Sequence, residues 1–208
     1  AEIAAWPGAA VVSMEYLGPF VAAQVEAVVA SLAGARVEAV VTVRDLNRTL
    51  VSMWQETIQN GRSWTWAEYL AAARAARPHA GLAALMGRPG RGGDAGRTFW
   101  KQQDVVAMVS RWGAAVGPDA VTVVTVPPPA GPREELTARF ARAVGFSADG
   151  LAPGESANAS LGLTSAVLLQ RVNAGLARRG IGLDDGKRLR KRVLAKRILG
   201  TRAAAEPR

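Results

Sequence analysis

The chain has 208 residues, 49% hydrophobic and 21% charged, a balance that suits a folded domain with its own core and excludes a largely disordered chain. Its formal charge is +9; the lack of cysteine excludes disulfides and thiolate chemistry, and with one histidine no dedicated transition-metal site is expected. No apolar run reaches the ~20 residues of a spanning helix and the opening AEIAAWPG lacks a signal-peptide pattern, so the expectation is a soluble, cytoplasmic protein without a transmembrane segment.

In chain order, the β-branched runs AAVVS (9–13), RVEAVVTV (36–43) and DAVTVVTV (119–126) predict three short strands buried on both faces, as in a parallel sheet. Helical patterns fall between them at 21–32, 45–59, 66–76 and 98–116. The alternation predicts an α/β fold with βα units. After PPPAGP the pattern resumes as a helix at 133–144, and further helices are expected at 164–178 and 183–199. One domain is expected over 1–208, with an irregular start (1–8), a mobile Gly/Arg loop (86–97) and a basic C-terminal helix and tail (183–208). Three strands are few for this length, so the sheet is expected to be incomplete at the amino end.

The second strand ends at Arg44, and carboxyl ends of parallel strands are where ligands gather in open α/β sheets. Asp45 is placed to cap the next helix, which sets Arg44 beside the positive end of the helix dipole. Ser52 follows Asp45 by about two turns, roughly 10 Å along the axis. Arg48, four residues from both Arg44 and Ser52, joins them in a polar stripe. A phosphate there could receive a guanidinium fork and a hydroxyl together. Equally, Arg44 could pair with a carboxylate and Ser52 be an ordinary helix residue.

The segment VRDLNRTLVSMW (43–54) resembles the 3′-phosphate-binding segment of sulfotransferases, in which a strand ends in Arg-Asp-Pro and a serine follows eight residues after the arginine. Arg44, Asp45, Arg48, Ser52 and Trp54 match, while Leu46 stands where the family has proline. VVSMEYL, MWQETIQNGRSWTWAEYL, FWKQQDVVAMVSRW and NASLGLTSAVLLQRVN are also similar to bacterial members, covering most of residues 9–180. The resemblance implies a three-layer α/β/α parallel sheet of the P-loop/sulfotransferase type. It implies a sulfuryl donor, 3′-phosphoadenosine 5′-phosphosulfate (PAPS), and a small-molecule, lipid or glycan acceptor carrying a hydroxyl. Arg44, Ser52 and Arg48 would then hold the 3′-phosphate of PAPS or of its product, adenosine 3′,5′-bisphosphate.

The Lys-x-Gly-Thr-Thr-like loop that cradles the phosphosulfate in this family does not occur in the sequence, so the chain alone is expected to bind the nucleotide weakly and transfer nothing. Glu15, just after the first expected strand, is the candidate general base, with a helix-capping role as the alternative. Trp64 and Trp66 could line an acceptor cleft or simply pack. Asn158 and Ser160 match a family segment near the cofactor or acceptor, and otherwise read as loop residues. His79, the sole histidine, falls in an apparent surface loop. In the basic helix, Leu189, Val193, Leu194 and Ile198 are expected to dock on the domain and leave a solvated cationic strip. Without aromatic interleaving, nucleic acid is not the expected partner, and a non-catalytic nucleotide- or polyanion-binding module is the alternative function.

Overall fold

A computed structural model describes residues 3, 6–78, 93–128, 130–132, 134–151, 161–202 and 205–206. The chain is mixed α/β and mainly helical, with a two-stranded parallel sheet among the described residues. It forms two compact units, one made of residues 1–44 and 101–153, the other of 45–100 and 154–208.

The first unit carries the sheet. Strand β1 (Ala39–Val43) pairs in parallel with β2 (Val121–Thr125), Ala39 opposite Val121 and Val43 opposite Thr125. Helix α1 (Ala22–Ser31) and a later helix, Val105–Val116, pack together over a small core of Val25, Ala39 and Trp112. Phe20, Val28, Met108 and Val121 pack around that core. Helix Glu134–Val144 lies against β2 and is tied to its end by Arg139, whose Nη1 donates to the Thr125 carbonyl at 2.8 Å and to Thr125 Oγ1.

Two expectations about strands fail here. Residues 9–13 are not a strand; they are exposed and pair with nothing in the sheet. Their β-branched side chains suit a strand, but β-propensity expresses packing against neighbours, and among the described residues no strand pairs with them. The sheet is also not buried on both faces, since Thr42, Thr122, Val123 and Thr125 are exposed.

The second unit is helical. Its elements are α2 (Leu46–Gln59), α3 (Trp66–Ala75), most of α4 (Asp94–Gln103) and α7 (Leu163–Arg178), numbering Val105–Val116 as α5 and Glu134–Val144 as α6. A π-helix, Leu189–Leu199, follows. The expected single helix over 98–116 is two helices, because Asp104 accepts from the Ala107 N–H at 3.0 Å and starts α5 afresh. Of the expected mobile loop 86–97, residues 94–97 are the first turn of α4, and 86–92 lie outside the described residues.

Aromatic side chains fill this unit's core. Trp54, Tyr69 and Phe99 are buried with Ile58, Leu161, Leu169 and Leu199. Ring contacts run Trp54–Trp66 (5.7 Å), Trp66–Tyr69 (6.4 Å), Tyr69–Phe99 (6.2 Å) and Phe99–Trp100 (4.9 Å). Burying each large ring contributes about 1.5–3 kcal/mol, and edge contacts add about 0.5–1.5 kcal/mol. The indole N–H groups are not sacrificed: Trp54 donates to the Trp64 carbonyl at 2.9 Å and Trp100 to the Ala73 carbonyl at 2.7 Å. Gly96 lets α4 lie directly on α3, since a Cβ there would overlap the Ala72 carbonyl.

Long-range polar contacts then lock the helices. Asn173, 1% exposed, donates to the Ile58 and Arg62 carbonyls at 2.8 and 2.9 Å, satisfying the carboxyl end of α2. Gln55 donates to the Leu161 carbonyl at 2.9 Å. Glu206 receives both the Ser165 N–H (2.8 Å) and hydroxyl (2.7 Å), capping α7 where Gly162 has no side chain to do so.

The basic helix docks through part of the expected face, with Leu194 packed on the core and Val193 half-buried, and otherwise in a different register. Arg190, Ala195 and Leu199 are buried, whereas Leu189 and Ile198 are 53% and 51% exposed. The cause is the winding: i→i+5 hydrogen bonds bring residues spaced by four and five onto one side. Residues 183–186, expected to be helical, form bends and turns before it.

Candidate functional site

The site expected from the sequence begins where β1 hands over to α2. Arg44 directly follows Val43, the last residue of β1, and is exposed. Asp45 is the N-cap of α2, with extended backbone (φ −53°, ψ 144°), and its Oδ1 accepts the Arg48 N–H at 2.9 Å. Aspartate does this because its short carboxylate reaches a backbone donor that the helix leaves unpaired. The other oxygen, Oδ2, lies 3.5 Å from Arg48 Nη1. One arginine of the stripe is therefore already drawn toward the cap, in an exposed pair worth about 0–1 kcal/mol. Ser52 stands one turn beyond Arg48 on α2, and both are half-buried.

Arg44 belongs to the first unit and Arg48 and Ser52 to the second. Within the first unit, the carboxyl end of the sheet has a second guanidinium that sequence reasoning passed over. Arg139 meets Thr125, the register partner of Val43, and is ion-paired to Glu135. The signal was weak: an arginine in the middle of an amphipathic helix looks like any solvated charge, and only the sheet register brings it to the strand end.

Glu15 is exposed at the start of a 3₁₀ turn, Glu15–Leu17, and its carbonyl accepts the Gly18 N–H. The placement of Glu15 at a strand end loses its basis, because the strand before it does not form. Trp64 and Trp66 are half-buried within the aromatic cluster, and the Arg62 guanidinium lies 4.9 Å from the Trp64 ring centroid. Both rings pack against the buried cluster and keep part of their surface exposed. Asn158, Ser160 and His79 lie outside the described residues.

A concavity of ≈ 290 Å³ lies in the second unit, lined by Gly61, Asn173, Ile181, Gly182, Leu183 and Arg190 among others. Arg190 is 2% exposed, and its guanidinium donates to the carbonyls of Gly182 and Leu183 at 2.8–3.1 Å. Among the described residues, Arg190 Nε and Asn173 Oδ1 are buried without a hydrogen-bond partner. Buried arginines usually face a carboxylate; here backbone carbonyls take that place.

The π-helix is further tied to α2 by Lys191, whose Nζ lies 2.6 Å from Glu56 Oε1 and 3.2 Å from Asn60 Oδ1. Partial burial raises the Glu56 carboxyl, but hydrogen bonds from Lys191 and Asn60 and the charges of Lys191 and Lys196 outweigh it, so the group titrates below its ordinary 4.5.

No family model, curated protein or solved structure matches the chain. No helix among the described residues is long and apolar enough to cross a membrane.

Proposed function

We propose that this protein is of the sulfotransferase type and that the β1–α2 segment binds the 3′-phosphate of PAPS or adenosine 3′,5′-bisphosphate. The observation that carries the reading is local: a strand ends, Arg44 follows, Asp45 caps α2, and Arg48 and Ser52 stand one turn apart on that helix. Residue types and spacings there resemble the family's nucleotide segment. In this reading the two-stranded sheet is part of a three-layer α/β/α sheet of the P-loop/sulfotransferase type.

The reaction would be sulfuryl transfer. A general base takes the acceptor hydroxyl's proton; the hydroxyl oxygen bonds to sulfur; and the bond from sulfur to the phosphate oxygen breaks, releasing adenosine 3′,5′-bisphosphate. Cationic groups lower the barrier by meeting charge on the departing phosphate. The sequence contains no Lys-x-Gly-Thr-Thr-like segment, so in this reading the polypeptide alone binds the bisphosphate weakly and transfers nothing.

A thermal-shift titration tests the reading. Bound ligand raises stability by RT ln(1 + [L]/Kd), about 2.7 kcal/mol at a hundredfold excess over Kd. The expected result is a concentration-dependent rise in Tm with adenosine 3′,5′-bisphosphate that Arg44→Ala or Ser52→Ala removes. No rise, or one that both variants retain, contradicts it.

A second reading, a polyanion-binding module without catalysis, is favoured by one observation. Lys187, Arg188, Arg192, Lys196, Arg197 and Arg202 are all exposed. It predicts salt-sensitive binding to heparin that is indifferent to Arg44→Ala.

A further inference from the structure

The chain's positive charge is concentrated. Residues 171–202 contain eleven of the 26 Lys and Arg but two of the 17 Asp and Glu, which accounts for the whole net charge of +9; the other residues balance. A surplus gathered into one segment creates a local field that a dispersed surplus does not.

The π-helix organises that charge. With i→i+5 bonding there are about 4.4 residues per turn, so residues nine apart stand two turns apart on one side. Arg188 and Arg197 are so related, and Arg192 falls between them. Leu189 and Ile198 form the adjacent column. Opposite them, Arg190, Ala195 and Leu199 are buried and Lys191 is held by Glu56. One face is thus committed to the unit, and the other presents a row of cations edged by two exposed aliphatic side chains. Ile181 and Leu183, 39% and 41% exposed, precede it on the connecting turn.

We propose that this outward face, Arg188, Arg192, Lys196 and Arg197 with Leu189 and Ile198, docks the protein on an anionic lipid bilayer. The inference rests on the polyanion reading and narrows it to one partner. Cations gain about the same from any dense array of phosphates. The aliphatic column discriminates, because Leu189 and Ile198 gain nothing from a nucleic acid backbone but gain from the boundary between headgroups and acyl chains. From Leu163 to the end the chain has no Phe, Trp or Tyr, so the stacking platform that single-stranded nucleic acids use is missing.

Vesicle co-sedimentation of the 208-residue chain tests this. Vesicles of phosphatidylcholine with phosphatidylserine should retain the protein, and vesicles of phosphatidylcholine alone should not. Combined Arg188→Gln, Arg192→Gln and Arg197→Gln should lower partitioning about a hundredfold, at about 1 kcal/mol per cation near an anionic surface. Combined Leu189→Ser and Ile198→Ser should lower it about tenfold while leaving heparin affinity unchanged. All five positions are exposed, and unchanged circular dichroism confirms that the variants fold. Heparin binding without vesicle binding, or vesicle binding insensitive to the aliphatic pair, overturns the bilayer inference and leaves the polyanion reading standing. Binding to neither ends both.

Discussion

Tyr69 shows how tightly single atoms are constrained in the second unit. Its ring is fully buried in the aromatic cluster, yet its hydroxyl is buried with no partner among the described residues, and burial holds its ionisation well above the ordinary tyrosine range. An unmet buried hydroxyl costs about 1–3 kcal/mol. Tyr69→Phe keeps the ring and removes the orphan, so it should raise stability by about 1 kcal/mol in urea denaturation; a loss would mean the hydroxyl is satisfied after all. Gly96→Ala should do the opposite. Its methyl would press on the Ala72 carbonyl and part α3 from α4, at about 2–3 kcal/mol, read by the same denaturation curve. At this scale the sequence was legible where chemistry is local. Asp45 as cap follows from residue type and position, and the structure bears it out. Asn173, Gln55 and Arg139 were not legible as keystones, because their partners are backbone carbonyls distant in sequence or brought near by folding, and no spacing rule marks such a pairing.

Elements were legible by kind and less so by context. The helices expected around 21–32, 45–59, 66–76, 133–144 and 164–178 are present within a residue or two, since their caps and periodicity are written in neighbouring residues. The strand expected at 9–13 failed because a strand needs an adjacent strand, which a local pattern cannot supply. The docking face of the basic helix was read half correctly: Leu194 packs on the core and Val193 is half-buried, but Leu189 and Ile198 face outward because periodicity was counted on an α-helix while the chain winds as a π-helix. Its tie to α2 carries a pH prediction. Glu56 titrates below its ordinary 4.5 when folded, so the ion pair with Lys191 contributes stability that is fully present above 4.5 and lost as pH falls through the folded value. Glu56→Gln should therefore lower stability by a nearly constant amount above pH 6 and flatten the profile in the acid window, where the difference from the parent chain fades. An unaltered acid limb would show that the pair contributes nothing. The cap is testable by the same means: Asp45→Ala should cost about 1 kcal/mol.

At the scale of the whole molecule, charge and chemistry are separated along the chain. The β1–α2 segment holds the residues of the proposed nucleotide site, and the last forty residues hold the net charge. A mixed α/β class was readable from the alternation of β-branched runs and helical patterns; the division into two units was not, because each is assembled from two separated stretches of chain. The same separation makes the two functional readings experimentally distinct. The most direct test is a ¹H–¹⁵N spectrum of the chain titrated with adenosine 3′,5′-bisphosphate. The amides of residues 44–52 should shift saturably, with those of Leu46 to Arg48 at the α2 N-terminus among the largest. If they stay fixed while amides of 187–202 move, or nothing moves, the nucleotide assignment is contradicted.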